Sequence, residues 1–159
     1  MKNLTLRRLV RGALIAALYV ALTLATYSFS FGFMQIRISE ALTLLPVFIP
    51  EAIPALAVGC LLSNIVGGFG VPDMVFGTLA TLLAAFLTSK IKNKWFAALP
   101  PVIINAFVIG IMLFVILKPD FSVWVSILSI GIGEAIACYV VGVPLMTFIE
   151  KSKLQKYFK

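Results

Sequence analysis

Ile130-Gly131-Ile132-Gly133-Glu134-Ala135-Ile136-Ala137-Cys138 sets one carboxylate in a stretch that otherwise carries no charge. The next charges along the chain are Asp120 on one side and Glu150 on the other. A membrane-spanning helix needs about 17–25 mostly apolar residues. Residues 121–150 meet that length only with Glu134 inside the bilayer. At about fourteen residues into such a helix, Glu134 lies ~20 Å from its outer end at 1.5 Å per residue. A charge at that depth costs at least ~2.5–3.5 kcal/mol on insertion scales, so it marks a function by default.

The rest of the chain fits this reading. Of its 159 residues 62% are hydrophobic and 12% are charged, and the mean hydropathy is +1.11. Soluble domains carry about 25% charged residues. Uncharged stretches cover 12–36, 52–72, 74–89, 95–117 and 121–133. They predict an all-α membrane protein, a six-helix bundle forming a single integral membrane domain over 1–159. The helices are expected at about 9–29, 39–48, 51–66, 72–89, 96–117 and 121–150. The first is too long, and followed by too many others, to be a signal peptide. Ser39 is a plausible N-cap for the second, with Glu40 favourable in its first turn. Pro46, Pro50 and Pro54 interrupt the second and third, each shorter than a full span. Broken helices are tolerated in a membrane only where protein or a cavity covers the freed backbone.

Charge placement supplies an orientation. Lys2, Arg7, Arg8 and Arg11, then Lys90, Lys92 and Lys94, then Lys151, Lys153, Lys156 and Lys159 fall on one face of a six-helix arrangement. By the positive-inside rule that face and both termini are cytoplasmic. The expected location is a bacterial plasma membrane, with Trp95 and Trp124 near opposite interfaces. The net charge of +7 is thus a sign of orientation, not of nucleic-acid binding. There is no histidine, and no Walker-type phosphate loop. Cys60 and Cys138 make no metal motif. No Ser/Lys, paired-carboxylate or metal-ligand constellation stands out, so no catalytic residue, metal or cofactor is expected and the chain does not read as an enzyme.

Ala13, Ala17, Ala21 and Ala25 recur every four residues on the first helix, which puts them on one face. Such a face lets another helix approach closely. It serves either packing within this protein or docking of a different membrane protein. Glu134 either pairs with a buried amide or hydroxyl, or recognises a ligand through two parallel hydrogen bonds or a cation. Glu40 and Arg37 form either an interfacial ion pair or, with Gln35, the rim of a site. Asp73 suits a helix start. Asn105 and Asn64 are buried amides that serve either packing networks or a ligand. Glu51 reads as structural.

Four stretches carry a resemblance. They are Met34-Gln35-Ile36-Arg37-Ile38-Ser39-Glu40-Ala41-Leu42-Thr43-Leu44-Leu45-Pro46, Phe48-Ile49-Pro50-Glu51-Ala52-Ile53-Pro54, Asp73-Met74-Val75-Phe76-Gly77-Thr78-Leu79-Ala80-Thr81-Leu82 and Gly133-Glu134-Ala135. Together they resemble the QueT family, substrate-binding (S) components of energy-coupling factor transporters. The resemblance implies import of a queuosine precursor such as 7-aminomethyl-7-deazaguanine, through a pocket on the outer side closed by the loop after the first helix. It implies a transmembrane coupling (T) protein and two cytoplasmic ATPases as partners, with Ala13, Ala17 and Ala21 as the docking face. The chemistry of a deazaguanine then suggests Glu134 for its N–H edge and Asn105 or Gln35 for its carbonyl. Glu40 or Asp73 would meet the aminomethyl cation, with Arg37 at the rim and Phe33, Phe76 and Trp124 as stacking candidates. Other readings are an S component for another polar vitamin-like heterocycle, a proton-coupled carrier using Glu134, and a membrane scaffold without ligand, which leaves Glu134 unexplained.

Overall fold

The structure, a computed structural model, describes residues 2–32 and 34–152. Phe33 and the lysines of the tail beyond Ser152, expected as a stacking candidate and as part of the cytoplasmic face, lie outside the described residues. Every regular element among the described residues is helical. In chain order these are α1 (Lys2–Ala25), α2 (Tyr27–Ser30), a 3-10 segment (Ile38–Val47) and α3 (Ala52–Gly67). A π-helical turn (Asp73–Gly77) then leads into α4 (Thr78–Thr88), followed by α5 (Lys94–Ala97) and α6 (Leu99–Leu117). The last rod is α7 (Val123–Ala135), a π-helical turn (Ile136–Gly142) and α8 (Val143–Lys151).

Three rods, Thr5–Ala25, Lys94–Leu117 and Val123–Lys151, are long and apolar enough to cross a membrane. Ile38–Val47, Ala52–Gly67 and Asp73–Thr88 are apolar but shorter. At 1.5 Å per residue α3 reaches about 24 Å, short of a ~30 Å hydrocarbon core.

The second pass departs from the α-helix expected over 39–48. It is a ten-residue 3-10 helix, longer than the usual three or four residues. Ser39 caps nothing; its hydroxyl lies 2.6 Å from that of Thr23 instead. The reason for the tighter winding lies in the sequence. With three residues per turn, residues three apart stack into three faces. Leu42 and Leu45 join Ile15, Tyr19 and Leu56 in one core cluster. Leu44 and Val47 join Cys138, Val143 and Met146 in another. Glu40, Thr43 and Pro46 form the third face. A segment buried on all sides needs three distinct faces, and a 3-10 helix supplies them.

The passes alternate in direction. Ile15, Ala52, Ala85 and Ile149 share one cluster, so α1, the start of α3 and the ends of α4 and α8 come together. Two ion pairs close that end, Arg11–Glu51 at 3.2 Å and Lys94–Glu150 at 2.9 Å. Glu51 is therefore structural here. At the opposite end Phe31, Phe69, Leu117, Pro119 and Phe121 line a cavity of about 270 Å³. Lys118 turns the chain there in a left-handed conformation, φ 45°, and Pro119 prevents the helix from continuing.

Close approach fixes the packing of α6 on α7. A Cβ on Gly110 would lie 2.7 Å from Ile127 Cα, and backbone cannot yield to it. Gly110→Ala is expected to destabilise the protein by about 1–3 kcal/mol through overpacking, read as a lower melting temperature in detergent; an unchanged melt would show that α6 and α7 slide freely.

Ala13, Ala17, Ala21 and Ala25 all face outward. The neighbouring Ala16 is buried, and its carbonyl would stand 3.1 Å from a Cβ on Gly59. Packing inside the chain therefore uses Ala16 and leaves the alanine stripe uncovered.

Candidate functional site

Five passes and one loop deliver polar side chains to the interior. Tyr19 comes from α1, Glu40 and Thr43 from the 3-10 segment, Thr81 from α4, Asn105 from α6 and Glu134 from α7. Gln35 comes from the strap between α2 and the 3-10 segment. All of these are buried, Glu134 at 4% exposure.

Glu40 is held on one side only. The Tyr19 hydroxyl donates to its Oε1, and Thr81 Oγ1 donates to the same atom at 3.4 Å. Thr43 Oγ1 donates to the Glu40 carbonyl at 2.5 Å. Cys138 Sγ approaches that carbonyl at 3.8 Å. Glu134 hydrogen-bonds with the Asn105 side chain and lies close enough to Glu40 and Arg37 to interact with both charges. The π-helical turn begins two residues after Glu134. Such turns are frequent at functional sites, and this one also precedes Pro144, whose missing N–H cannot bond back into the helix.

Three buried polar atoms of this cluster have no hydrogen-bond partner among the described residues: Glu40 Oε2, Glu134 Oε2 and Gln35 Nε2. A buried polar atom left unpaired costs about 1–3 kcal/mol, more if charged. The set comprises two carboxylate acceptors and one amide donor. Its chemical complement is a ligand that donates to both carboxylates and accepts from Gln35. The charges point the same way. Among the described residues, the basic side chain near Glu40 and Glu134 is Arg37, and it is already ion-paired with Asp73.

Other expected site residues are placed elsewhere or differently engaged. Arg37 and Asp73 pair with each other, Nη2 to Oδ2 at 3.4 Å, so the pairing of Arg37 with Glu40 considered from sequence gives way to one with Asp73. Phe76 is 50% exposed and faces outward beside Phe107 and Ile111. Trp124 is 63% exposed. Neither reaches the polar cluster as a stacking partner. Asn64 is buried but used structurally: its Nδ2 donates to the Asp73 carbonyl at 2.9 Å. Tyr19, Thr43 and Thr81 were not singled out from sequence. A usable signal was the Tyr19–Thr23 pair, four residues apart on an otherwise apolar helix, which puts two hydroxyls on one inner face.

The strap passes directly over α7. A Cβ on Gly133 would lie 2.0 Å from Met34 O and 3.2 Å from Gln35 O. Glycine is thus required for the strap to lie where it does, with Gln35 buried beside α7. Gln35 itself takes a left-handed backbone, φ 43°, which is uncommon for a residue with a side chain.

A sequence model of the QueT transporter family matches residues 9–151. A relative from Lactococcus lactis subsp. cremoris (strain MG1363), named queuosine precursor transporter QueT, is 36% identical over 90 residues. That alignment covers 53% of this chain and 53% of the relative, so it spans about half the length of each. No solved structure matches. The family match takes in all the passes that carry Tyr19, Glu40, Thr81, Asn105 and Glu134, and the chain belongs to the QueT transporter family.

Proposed function

We propose that this chain is the substrate-binding component of an energy-coupling factor transporter that imports a 7-deazaguanine precursor of queuosine. The observation that carries the reading is the buried pair of half-satisfied carboxylates, Glu40 and Glu134, with the unpaired buried amide donor of Gln35 on the strap that crosses α7 at Gly133. A 7-aminomethyl-7-deazaguanine fits that set. Its N1–H and exocyclic amine donate to a carboxylate as an amidine-like pair. Its ring carbonyl accepts from Gln35, and its cationic aminomethyl group answers the second carboxylate. Glu134 takes the ring edge and Glu40 the cation in this assignment. Asn105 orients Glu134.

In this reading the six alternating passes form one membrane domain. The end closed by Arg11–Glu51 and Lys94–Glu150 faces the cytoplasm of a bacterial cell, as the distribution of lysine and arginine requires. The substrate site opens to the outside. Energy comes from two ATPases through a separate transmembrane coupling protein, which docks on the uncovered Ala13, Ala17 and Ala21. Small residues drive such contacts because backbones can approach closely without a hydrophobic force between helices.

Two experiments test the reading. Uptake of the deazaguanine into vesicles holding this chain with its coupling protein and ATPases is expected to require ATP and to survive collapse of the proton gradient. Uptake driven by the gradient without ATPases would favour a proton-coupled carrier instead. Ala17→Trp is expected to abolish uptake while leaving the dissociation constant within about threefold, a change of under ~1 kcal/mol. Loss of binding in that variant would contradict the docking assignment.

A further inference from the structure

We infer that Arg37 and Asp73 are not substrate contacts but positioning residues: their ion pair pins the strap over the site, so that Gln35 is held inward and release requires the pair to part. The inference rests on the substrate site being the cluster around Glu40 and Glu134.

Four observations converge on the pin. Arg37 and Asp73 are buried to 4% and 0% exposure, and face each other at 3.4 Å. Arg37 is also fixed to the C-terminal end of α2: Nε donates to Ser30 O at 3.2 Å, and its guanidinium lies 4.9 Å from the centre of the Phe31 ring. Asp73 is fixed from the other side. Its Oδ2 accepts from Phe69 N at 3.2 Å, and its carbonyl accepts from Asn64. The π-helical turn that starts at Asp73 is therefore tied to α3, and the strap is tied to that turn. Glycine makes the room: a Cβ on Gly68 would lie 2.6 Å from Asp73 Oδ2, and one on Gly77 3.2 Å from Oδ1.

The consequences follow from the chain path. Among the described residues of the strap, Gln35 N bonds to Gly32 O at 3.1 Å, and Arg37 O accepts from Glu40 N at 2.9 Å. Arg37 anchors its far end, one residue before the 3-10 segment that carries Glu40. Phe31 and Gly32 at the near end and Phe69 across the gap line the 270 Å³ cavity with Ser126 and Ile130 of α7. Ile130 lies four residues before Glu134 on the same helix face, about 6 Å outward. Met34 and Gln35 of the strap lie against Gly133, next to Glu134, so the pin controls the outer route to the site. A buried ion pair is suited to the task because separating it in a dry interior is unfavourable, while bound substrate leaves it undisturbed.

The test compares the full chain, the double variant R37Q/D73N and the conservative variant R37K in lipid nanodiscs. R37Q/D73N removes both members of the pair together, so neither Arg37 nor Asp73 is left as a lone buried charge; it also takes the Arg37 charge from the neighbourhood of Glu134, so exchange at 34–40, which that charge loss alone does not raise, decides the pin. Amide hydrogen exchange at residues 34–40 and release of tritiated 7-aminomethyl-7-deazaguanine after an excess of unlabelled base are measured. R37Q/D73N is expected to exchange at 34–40 and to release ligand at least tenfold faster, with exchange in α6 and α7 unchanged. R37K is expected to stay within about threefold of the parent for both. Parent-like exchange and release in R37Q/D73N would overturn the pin, as would a rise in exchange spread equally over α6 and α7. Failure of the parent to bind the base would remove the substrate reading, and the exchange comparison would still decide the pin.

Discussion

Glu134→Gln is expected to weaken binding of 7-aminomethyl-7-deazaguanine about 100-fold while the melting temperature holds or rises. The substitution keeps the shape of the side chain and its bond with Asn105, and replaces one carboxylate oxygen by an amide N–H. In the proposed pose that N–H would face the ring N–H donors, so an attraction becomes a donor–donor clash. Hydrogen bonds to charged groups are worth about 1.5–3 kcal/mol, and every 1.4 kcal/mol is about tenfold in affinity. Stability should move the other way. Glu134 Oε2 has no partner among the described residues, and neutralising an incompletely paired buried charge is often neutral or stabilising. Calorimetric titration beside a thermal melt checks both signs. Parent affinity in Glu134→Gln would remove this residue from the site.

Gly133→Ala is expected to have the next largest effect. A methyl group at this position would stand 2.0 Å from Met34 O, far inside contact distance, and the obstacle is backbone. Either the strap lifts or α7 shifts, and both move Gln35 away from the carboxylates. Affinity is expected to fall at least tenfold. The same change in a free helix would be favourable by about 0.5–1 kcal/mol, so a loss of stability identifies the strap as its cause. Gly131→Ala is the control. Its Cβ would meet Ala106 Cβ at 3.3 Å, which a shift of a few tenths of an ångström between α6 and α7 relieves without touching the strap, and binding should stay near the parent value. Equal losses in the two variants would show that α7 responds to any bulk, not to the seat of the strap.

Particular residues show what the sequence could and could not reveal. Glu134, Glu40, Asn105 and Gln35 were legible because a polar group inside an apolar run has few reasons to be there. The structure buries all four: Glu40 bonds with Tyr19 and Thr81, Glu134 bonds with Asn105 near Glu40, and the Gln35 backbone lies against Gly133. Phe76 and Trp124 were not legible in the same way. Aromatic residues suit the lipid face, the interface and a binding site alike, so residue type alone does not separate them. The π-helical turn at Asp73–Gly77 also breaks the 3.6-residue period by which the facing of Phe76 would be judged. Ser39 satisfied the composition of an N-cap, yet the 3-10 winding turns it toward Thr23. The three-residue repeat of Leu42, Leu45 and Phe48 beside Ala41, Leu44 and Val47 was present, but an apolar segment this short supports either helical period. The partner of Arg37 was hidden for a different reason. Asp73 lies thirty-six residues away in sequence, and only the fold sets the two loops against each other.

Equilibrium titration of the purified solitary chain in detergent with 7-aminomethyl-7-deazaguanine, and with guanine for comparison, decides whether Glu40 and Glu134 form a site for a cationic deazaguanine. Saturable one-to-one binding of the deazaguanine is expected, with guanine at least a hundredfold weaker, because guanine brings the same ring edge to Glu134 but no cation to Glu40. Folded protein that takes up neither compound, or that binds both equally, would contradict a site built from two carboxylates for a cationic deazaguanine.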